Sequence, residues 1–201
     1  MTYPAVGNSL FGVKAHLVPL CSKTANKKNE SRGYPIPITA THLQKRKVYD
    51  MIERYYKDLT IIPPSADAVC VTTNGMTKNN GDAVMGAGIA RSFAEKYPSL
   101  PKMLGEKLRT EGNHVHDITT ITNAYKEQHI VSFPTKHHWK NDSDIALIKQ
   151  SAEELKALAD KNNWTCIYLP RPGFGCGRLS WLYVKPVITN ILDDRFIVTW
   201  R

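Results

Sequence analysis

The chain has 201 residues, 42% of them apolar, and its 27 Lys and Arg against 18 Asp and Glu leave a formal net charge of +9. That size suits one domain with extensions and a sizeable core. No run of about 18 uncharged apolar residues occurs, and the opening MTYPAVGNSLFGVKAHLVPLC has no basic stretch leading into an apolar one, which argues against a membrane span and a secretory signal.

Residues 1–47 differ in character from the rest and are expected to form an N-terminal extension. A short apolar patch from Phe11 to Leu20 leads into the basic tract SKTANKKNESR (22–32), then GYPIPIT, whose prolines discourage a helix, and QKRK (44–47). The two basic stretches suit a polyanion, nucleic acid included, or a solvated surface. From residue 48 to 201, strand-like and helix-like segments alternate, the pattern of an α/β layer architecture. Strands are expected over Val48–Tyr56, Ala68–Thr73, His129–Phe133, Cys166–Leu169 and Phe196–Thr199; several are continuous apolar runs, as in strands buried on both faces.

Three helices stand out. After Gly88, Ile89, Ala90, Phe93 and Tyr97 form an apolar stripe that Pro98 ends. In SDIALIKQSAEELKALADK, Ile145, Ile148, Ala152 and Leu155 recur at spacings of three and four, with Ser143 as the expected N-cap. The third follows Trp181 through Val184, Ile188 and Ile191, with Pro186 acceptable only near its first turn. Four widely separated cysteines, Cys21, Cys70, Cys166 and Cys176, show no zinc-ligand spacing, which fits a reducing cytoplasm; neither metal nor cofactor is expected.

Two loops carry the chemistry. In VMGAGIARSF, Gly86, Ala87, Gly88 and Ile89 join a turn to a helix start, where backbone N–H groups lack intrahelical partners and the helix dipole adds partial positive charge. The loop serves either an anion or tight helix packing. It is not a dinucleotide fingerprint, because Arg91 stands where a third glycine would fall, and no Gly-Lys-Ser/Thr follows it. The second loop, LPRPGFGCGRLSW, alternates Gly173, Gly175 and Gly177 with Phe174 and Cys176 and again leads into a helix. Two such loops at the carboxyl ends of buried strands can clasp a diphosphate between them, with Phe174 against a ribose and Arg178 adding a charged contact.

These motifs, in this order and over about residues 48–200, resemble the macrodomain family, which binds ADP-ribose. The resemblance implies a three-layer α/β/α fold with a mixed, mostly parallel central sheet. YYKDLT resembles the family's Gly-Asp-Ile-Thr turn, which implies that Asp58, followed by Leu59, accepts from the adenine amino group. DAVCVTTNG resembles the strand that ends in an Asn, here Asn74, near the distal ribose; MGAGIA and RPGFGC resemble the two phosphate loops. MGAGIA, FPTKHHW and LPRPGFGCGRLSW followed by VKPVITNILDDRF are similar to the branch of terminal ADP-ribose protein glycohydrolase and its bacterial and phage relatives. The implied partner is ADP-ribose or an ADP-ribosylated macromolecule.

The resemblance is weaker for turnover, which needs a nucleophile or a base beside the distal ribose. The positions where hydrolytic members carry a carboxylate fall here on Ala90 and Gly177, and the position of the branch's Lys falls on or near Thr73 and Asn74. Candidate catalytic residues are Asn74, Asp82, the only carboxylate in the loop leading to the first glycines, and His138 or its neighbour His137. Cys176 is either a small loop filler or a thiol among backbone donors. Four readings stay open: an ADP-ribose binder, a hydrolase of ADP-ribosyl linkages, an ADP-ribose 1″-phosphate phosphatase, and a basic nucleic-acid-binding or assembly module.

Overall fold

The apolar runs form strands, and both glycine-rich segments lead into helices; the second follows a strand end directly, as expected, whereas residues 75–85 separate the first from the strand before it. The computed structural model describes residues 51–200; the expected extension over 1–47 and the first residues of the strand expected from Val48 lie outside them. Strands β1 (Ile52–Tyr55), β2 (Ala68–Asn74), β3 (Asp117–Thr122), β4 (Glu127–Lys136), β5 (Ile167–Pro170) and β6 (Phe196–Trp200) form one sheet in the order β1-β6-β5-β2-β4-β3. All neighbouring pairs are parallel except β3 with β4, which is antiparallel.

Helices α1 (Gly88–Lys96) and α2 (Leu100–Glu111) cover one face, and α3 (Ile145–Lys161) and α4 (Trp181–Thr189) cover the other. The alternation along each strand explains the division. Val69, Val71, Ile130 and Tyr168 join Phe93, Leu100 and Leu104 in one core cluster. Their neighbours Cys70, Val131, Phe133, Ile167 and Leu169 join Ile148, Leu155, Val184 and Ile188 in the other. The expected three-layer α/β/α architecture with a mixed, mostly parallel sheet is what the chain adopts.

Several local expectations change. Helix α2 and strand β3 had no counterpart in the sequence reading. Pro101 sits at the start of α2, where its missing N–H costs nothing, and the segment that looked broken by prolines packs Leu100 and Leu104 fully into the core. The N-cap of α3 is Asp144, whose carboxylate accepts from the backbone N–H of Ala146 at 2.8 Å and of Leu147 at 3.5 Å; Ser143 is buried instead. Pro186 lies inside α4 rather than in its first turn. The carbonyl it deprives of a partner belongs to Leu182, which is 82% exposed, so water replaces the lost bond.

The register of β2 against β4 shifts between Thr73 and Asn74, so that Thr73 pairs with Pro134 and Asn74 with Lys136. Such a bulge re-aims side chains at a strand end. Here it lies where β2 and β4 reach the principal cavity of the described residues.

Candidate functional site

The carboxyl ends of β1, β6, β5, β2 and β4 open into one cavity of about 640 Å³, a size suited to a nucleotide-like ligand. Its floor and walls follow the strand order. Tyr56, Lys57, Asp58 and Leu59 come from the segment after β1, Thr199 and Trp200 from β6, and Pro170 and Arg171 from β5. Thr72, Thr73 and Asn74 come from β2, and Thr135, Lys136 and Trp139 from β4 and the turn beyond it. Gly86, Ala87, Gly88, Ile89 and Ala90 close one side, and Gly173, Phe174, Gly175, Cys176 and Gly177 the other.

The first glycine loop enters α1 through Ala87, which has no side chain to cap the helix, and the first turn holds no acidic residue. The N–H groups of that turn therefore have no protein carboxylate competing for them. Gly88 has φ +57°, and a Cβ there would meet the Cys176 sulfur at 3.9 Å, so the gap between the two loops at this point is about one methyl group wide. Gly86 has neither a positive φ nor any atom within 4 Å of where its Cβ would stand. Nothing among the described residues crowds a side chain at that position.

The second loop makes a short 3-10 turn over Gly175–Gly177 and is bound to the segment 136–143 at several points. The Lys136 ammonium donates to the Cys176 carbonyl at 2.6 Å, the Ser143 N–H donates to the Gly177 carbonyl at 2.9 Å, and Arg178 pairs with Asp142 at 3.0 Å. Gly173 packs against Ile148 and Leu179, so its small size serves the core, whereas Gly175, at φ +64°, has open space around it.

Asp58 and Asn74 line the cavity, but both also work on the backbone. Asp58 Oδ1 accepts from the Thr60 N–H at 3.0 Å and the Thr60 hydroxyl at 2.8 Å, which closes the turn after β1. Asn74 donates from Nδ2 to the Val84 carbonyl at 2.8 Å and accepts on Oδ1 from the Met76 N–H at 3.0 Å, fastening the strand end to the start of the first glycine loop. Asn74 retains an N–H and lone pairs for a ligand.

Three expected site residues are not brought to the cavity. Asp82 lies in the 78–83 turn, where its carboxylate accepts from Asn80 at 2.7 Å. His138 accepts on Nδ1 from the Lys140 N–H at 3.2 Å, and His137 pairs with the α3 cap Asp144 at 3.3 Å. Arg178 adopts φ +58°, and its guanidinium turns to Asp142. In each case a nearby polar group in the same turn or the adjacent loop supplies the partner, and the sequence reading had no means of seeing it.

Conversely, Lys136, Trp139, Arg171 and Trp200 reach the cavity without having been singled out. Arg171 is held between two indoles, 4.9 Å from the ring centroid of Trp181 and 4.4 Å from that of Trp200. Its guanidinium donates to Glu53 at 2.7 Å, and Glu53 also takes Lys185 at 2.6 Å and the Trp181 N–H at 3.1 Å. Burial pushes the Glu53 carboxyl up, but Lys185 and Arg171 outweigh it and hold the group below the ordinary carboxylate range. The signal that was available is positional: Arg171, Lys136 and Trp200 each stand at or just past the carboxyl end of an expected strand.

Comparison with known proteins agrees with this architecture. The chain is 27% identical over 133 residues to the DNA ADP-ribosyl glycohydrolase of Mycobacterium tuberculosis (strain ATCC 25618 / H37Rv), a match that takes in 65% of this chain and 38% of that protein. The chain thus spans well under half of that relative's length. It is 26% identical over 120 residues to the ADP-ribose glycohydrolase OARD1 of Bos taurus, covering 56% of this chain and 69% of the relative. The solved macrodomain of Mycobacterium tuberculosis DarG shares the fold at a TM-score of 0.60 and 23% identity, over 76% of this chain and 99% of that one. The family model described as Macro domain matches residues 78–188, from the turn before the first glycine loop to the end of α4. On its sheet order, its two glycine loops and this match, the chain belongs to the Macro domain family.

Proposed function

We propose that this protein binds ADP-ribose, free or attached to a macromolecule, along the cavity at the carboxyl ends of the strands. Gly86 is the observation that carries the reading: it lines the cavity with open space at its Cβ position, so a ligand can come close to its backbone. The adjoining uncapped start of α1 offers N–H donors to a diphosphate. Asp58 at the β1 end accepts from an adenine amino group, and Trp200 beside it offers an aromatic surface. Calorimetric titration with ADP-ribose tests this, with binding by the parent and loss of binding in Gly86→Glu expected. Absence of binding by the parent would remove the reading.

A second reading, hydrolysis of an ADP-ribosyl bond, draws on the activities for which the relatives are named. The charged side chains lining the cavity are Lys57, Asp58, Lys136 and Arg171. Asp58 and Arg171 belong to the β1, β6 and β5 end, which leaves Lys136 as the charged group beside Asn74 at the other. In this reading water attacks the distal ribose carbon as the bond to the leaving group breaks, the Lys136 ammonium gives the leaving group its proton, and the proton shed by the attacking water restores the ammonium. Incubation with ADP-ribosylated single-stranded DNA, an ADP-ribosylated peptide and ADP-ribose 1″-phosphate separates the outcomes: released ADP-ribose supports the hydrolase, released phosphate the phosphatase, and no product a binder. The basic stretches at 22–32 and 44–47 favour a nucleic acid as the modified macromolecule.

A further inference from the structure

The segment 136–143 does more than hold the second glycine loop: it carries Trp139 to the rim of the cavity. Trp139 is half exposed, at 50%, and Phe174 of the second glycine loop is 56% exposed, although both line the cavity. Large aromatic side chains that stay half open at a cavity mouth leave apolar area for a ligand, here beside the neighbours that already touch Trp139. Their surroundings are cationic. The Lys140 ammonium lies 5.1 Å from the Trp139 ring centroid, and the His138 ring is stacked on Trp139 at 5.6 Å with 22° between the planes. Lys136 and Arg178 flank the same loop, with Asp142 and Asp144 as the nearby acids. Asp142 is paired with Arg178, and Asp144 is engaged with His137 and the α3 N-terminus.

The sheet order fixes which end of a ligand this rim faces. From β1 to β4 the order passes through β6, β5 and β2, four inter-strand steps, or about 19 Å at the usual strand spacing. If adenine lies beside Asp58 after β1, the distal ribose and whatever is attached to it emerge beside Lys136 and Trp139 after β4. This step rests on the proposed ADP-ribose site.

We propose that Trp139, extended by His138 and backed by Lys140, is a stacking platform for a nucleobase of an ADP-ribosylated single-stranded nucleic acid, so that this rim selects the modified strand rather than a modified protein. A flat indole with an adjacent cation matches a base and its phosphate. The Lys140 ammonium, which here lies over the ring, gains a phosphate to pair with when a base takes its place. An acidic or apolar peptide offers no repeated flat face to such a platform.

The test compares parent, Trp139→Ala and Trp139→Phe for affinity toward three probes: free ADP-ribose, a short single-stranded DNA carrying one base-linked ADP-ribose, and a peptide carrying one ADP-ribose. The expected result is a loss of roughly tenfold in Trp139→Ala for the modified DNA relative to free ADP-ribose, with most of it restored in Trp139→Phe. The modified peptide should track free ADP-ribose. Equal changes for DNA and peptide, or no change for DNA, would overturn the platform. Failure of the parent to bind free ADP-ribose would instead overturn the cavity assignment on which it rests.

Discussion

Ser143 occupies the space that a side chain at position 177 would need: its Oγ lies 2.5 Å from where a Cβ on Gly177 would stand, and its N–H donates to the Gly177 carbonyl. The position to which the family resemblance assigns a carboxylate is therefore closed here by a buried neighbour. Gly177→Asp is expected to destabilise the fold by about 1–3 kcal/mol through overpacking, and Ser143→Gly in the same chain to recover most of that loss. Denaturant unfolding of the single and double variants measures both effects. A Gly177→Asp variant as stable as the parent would mean that Ser143 moves aside freely.

The glycines separate ligand space from protein packing. Gly86→Glu has room and an ordinary backbone, so it should abolish ADP-ribose binding while leaving the melting temperature within a few degrees of the parent. Gly175→Glu faces equally open space but sits at φ +64°, which adds about 1–2 kcal/mol of strain. It should therefore lose both binding and stability. Paired calorimetric titration and thermal melts distinguish the two.

Asp58 is tied to Thr60 through both the backbone N–H and the hydroxyl, so its loss alters the turn as well as the ligand. Asp58→Ala should weaken ADP-ribose binding by about tenfold or more, the range for a hydrogen bond to a charged group, and leave the affinity for ribose 5-phosphate little changed. Equal losses for the two ligands would place the carboxylate away from the adenine.

At the amino end of the strands, opposite the cavity, Asp67 ties the approaches to three of them together. Its Oδ2 accepts from the N–H of Thr165 at 2.7 Å and of Cys166 at 2.9 Å, and its Oδ1 pairs with Lys126 at 2.6 Å. Burial pushes its carboxyl up, but Lys126 and the Thr165 donors outweigh this and hold it below the ordinary value. A depressed folded value means that the unfolded chain binds the proton more readily. The contribution is thus fully present above the ordinary Asp value of about 3.9 and lost as pH falls through the lower folded value. Asp67→Asn should cost about 1.5–3 kcal/mol at neutral pH, and the gap from the parent should hold down to about pH 5 and narrow below about pH 4. Calorimetric melts across that range provide the check.

The parts of the site that could be read in the amino-acid order are those built from consecutive residues. LPRPGFGCGRLSW contains a whole strand end, loop and helix start, and VMGAGIARSF a loop and helix start, so the glycine pattern and the apolar rhythm after it specify their conformation locally. Strands β2, β4, β5 and β6 were legible for the same reason, as apolar runs bounded by turns. Helix α2 was hidden because Pro98 and Pro101 look like breaks until the helix start is known to lie between them. Strand β3 was hidden because DITTIT alternates weakly and is stabilised by its antiparallel pairing with β4.

What only the tertiary structure decided is which strand ends stand side by side. The order β1-β6-β5-β2-β4-β3 brings Asp58, Trp200, Arg171, Asn74 and Lys136 along one cavity although they are scattered over more than 140 positions, and the bulge after Thr73 sets Asn74 opposite Lys136. It also decided which polar groups are already engaged. Asp82, His138 and Arg178 have the chemistry that a site needs, but each finds a partner in its own turn or the next loop. The family and its two glycine loops follow from local conformational preference, which the chain carries residue by residue. The cavity's ends, the closure of position 177 by Ser143 and the exposed Trp139 depend on distances between segments, and only the packing of the sheet and its loops sets those.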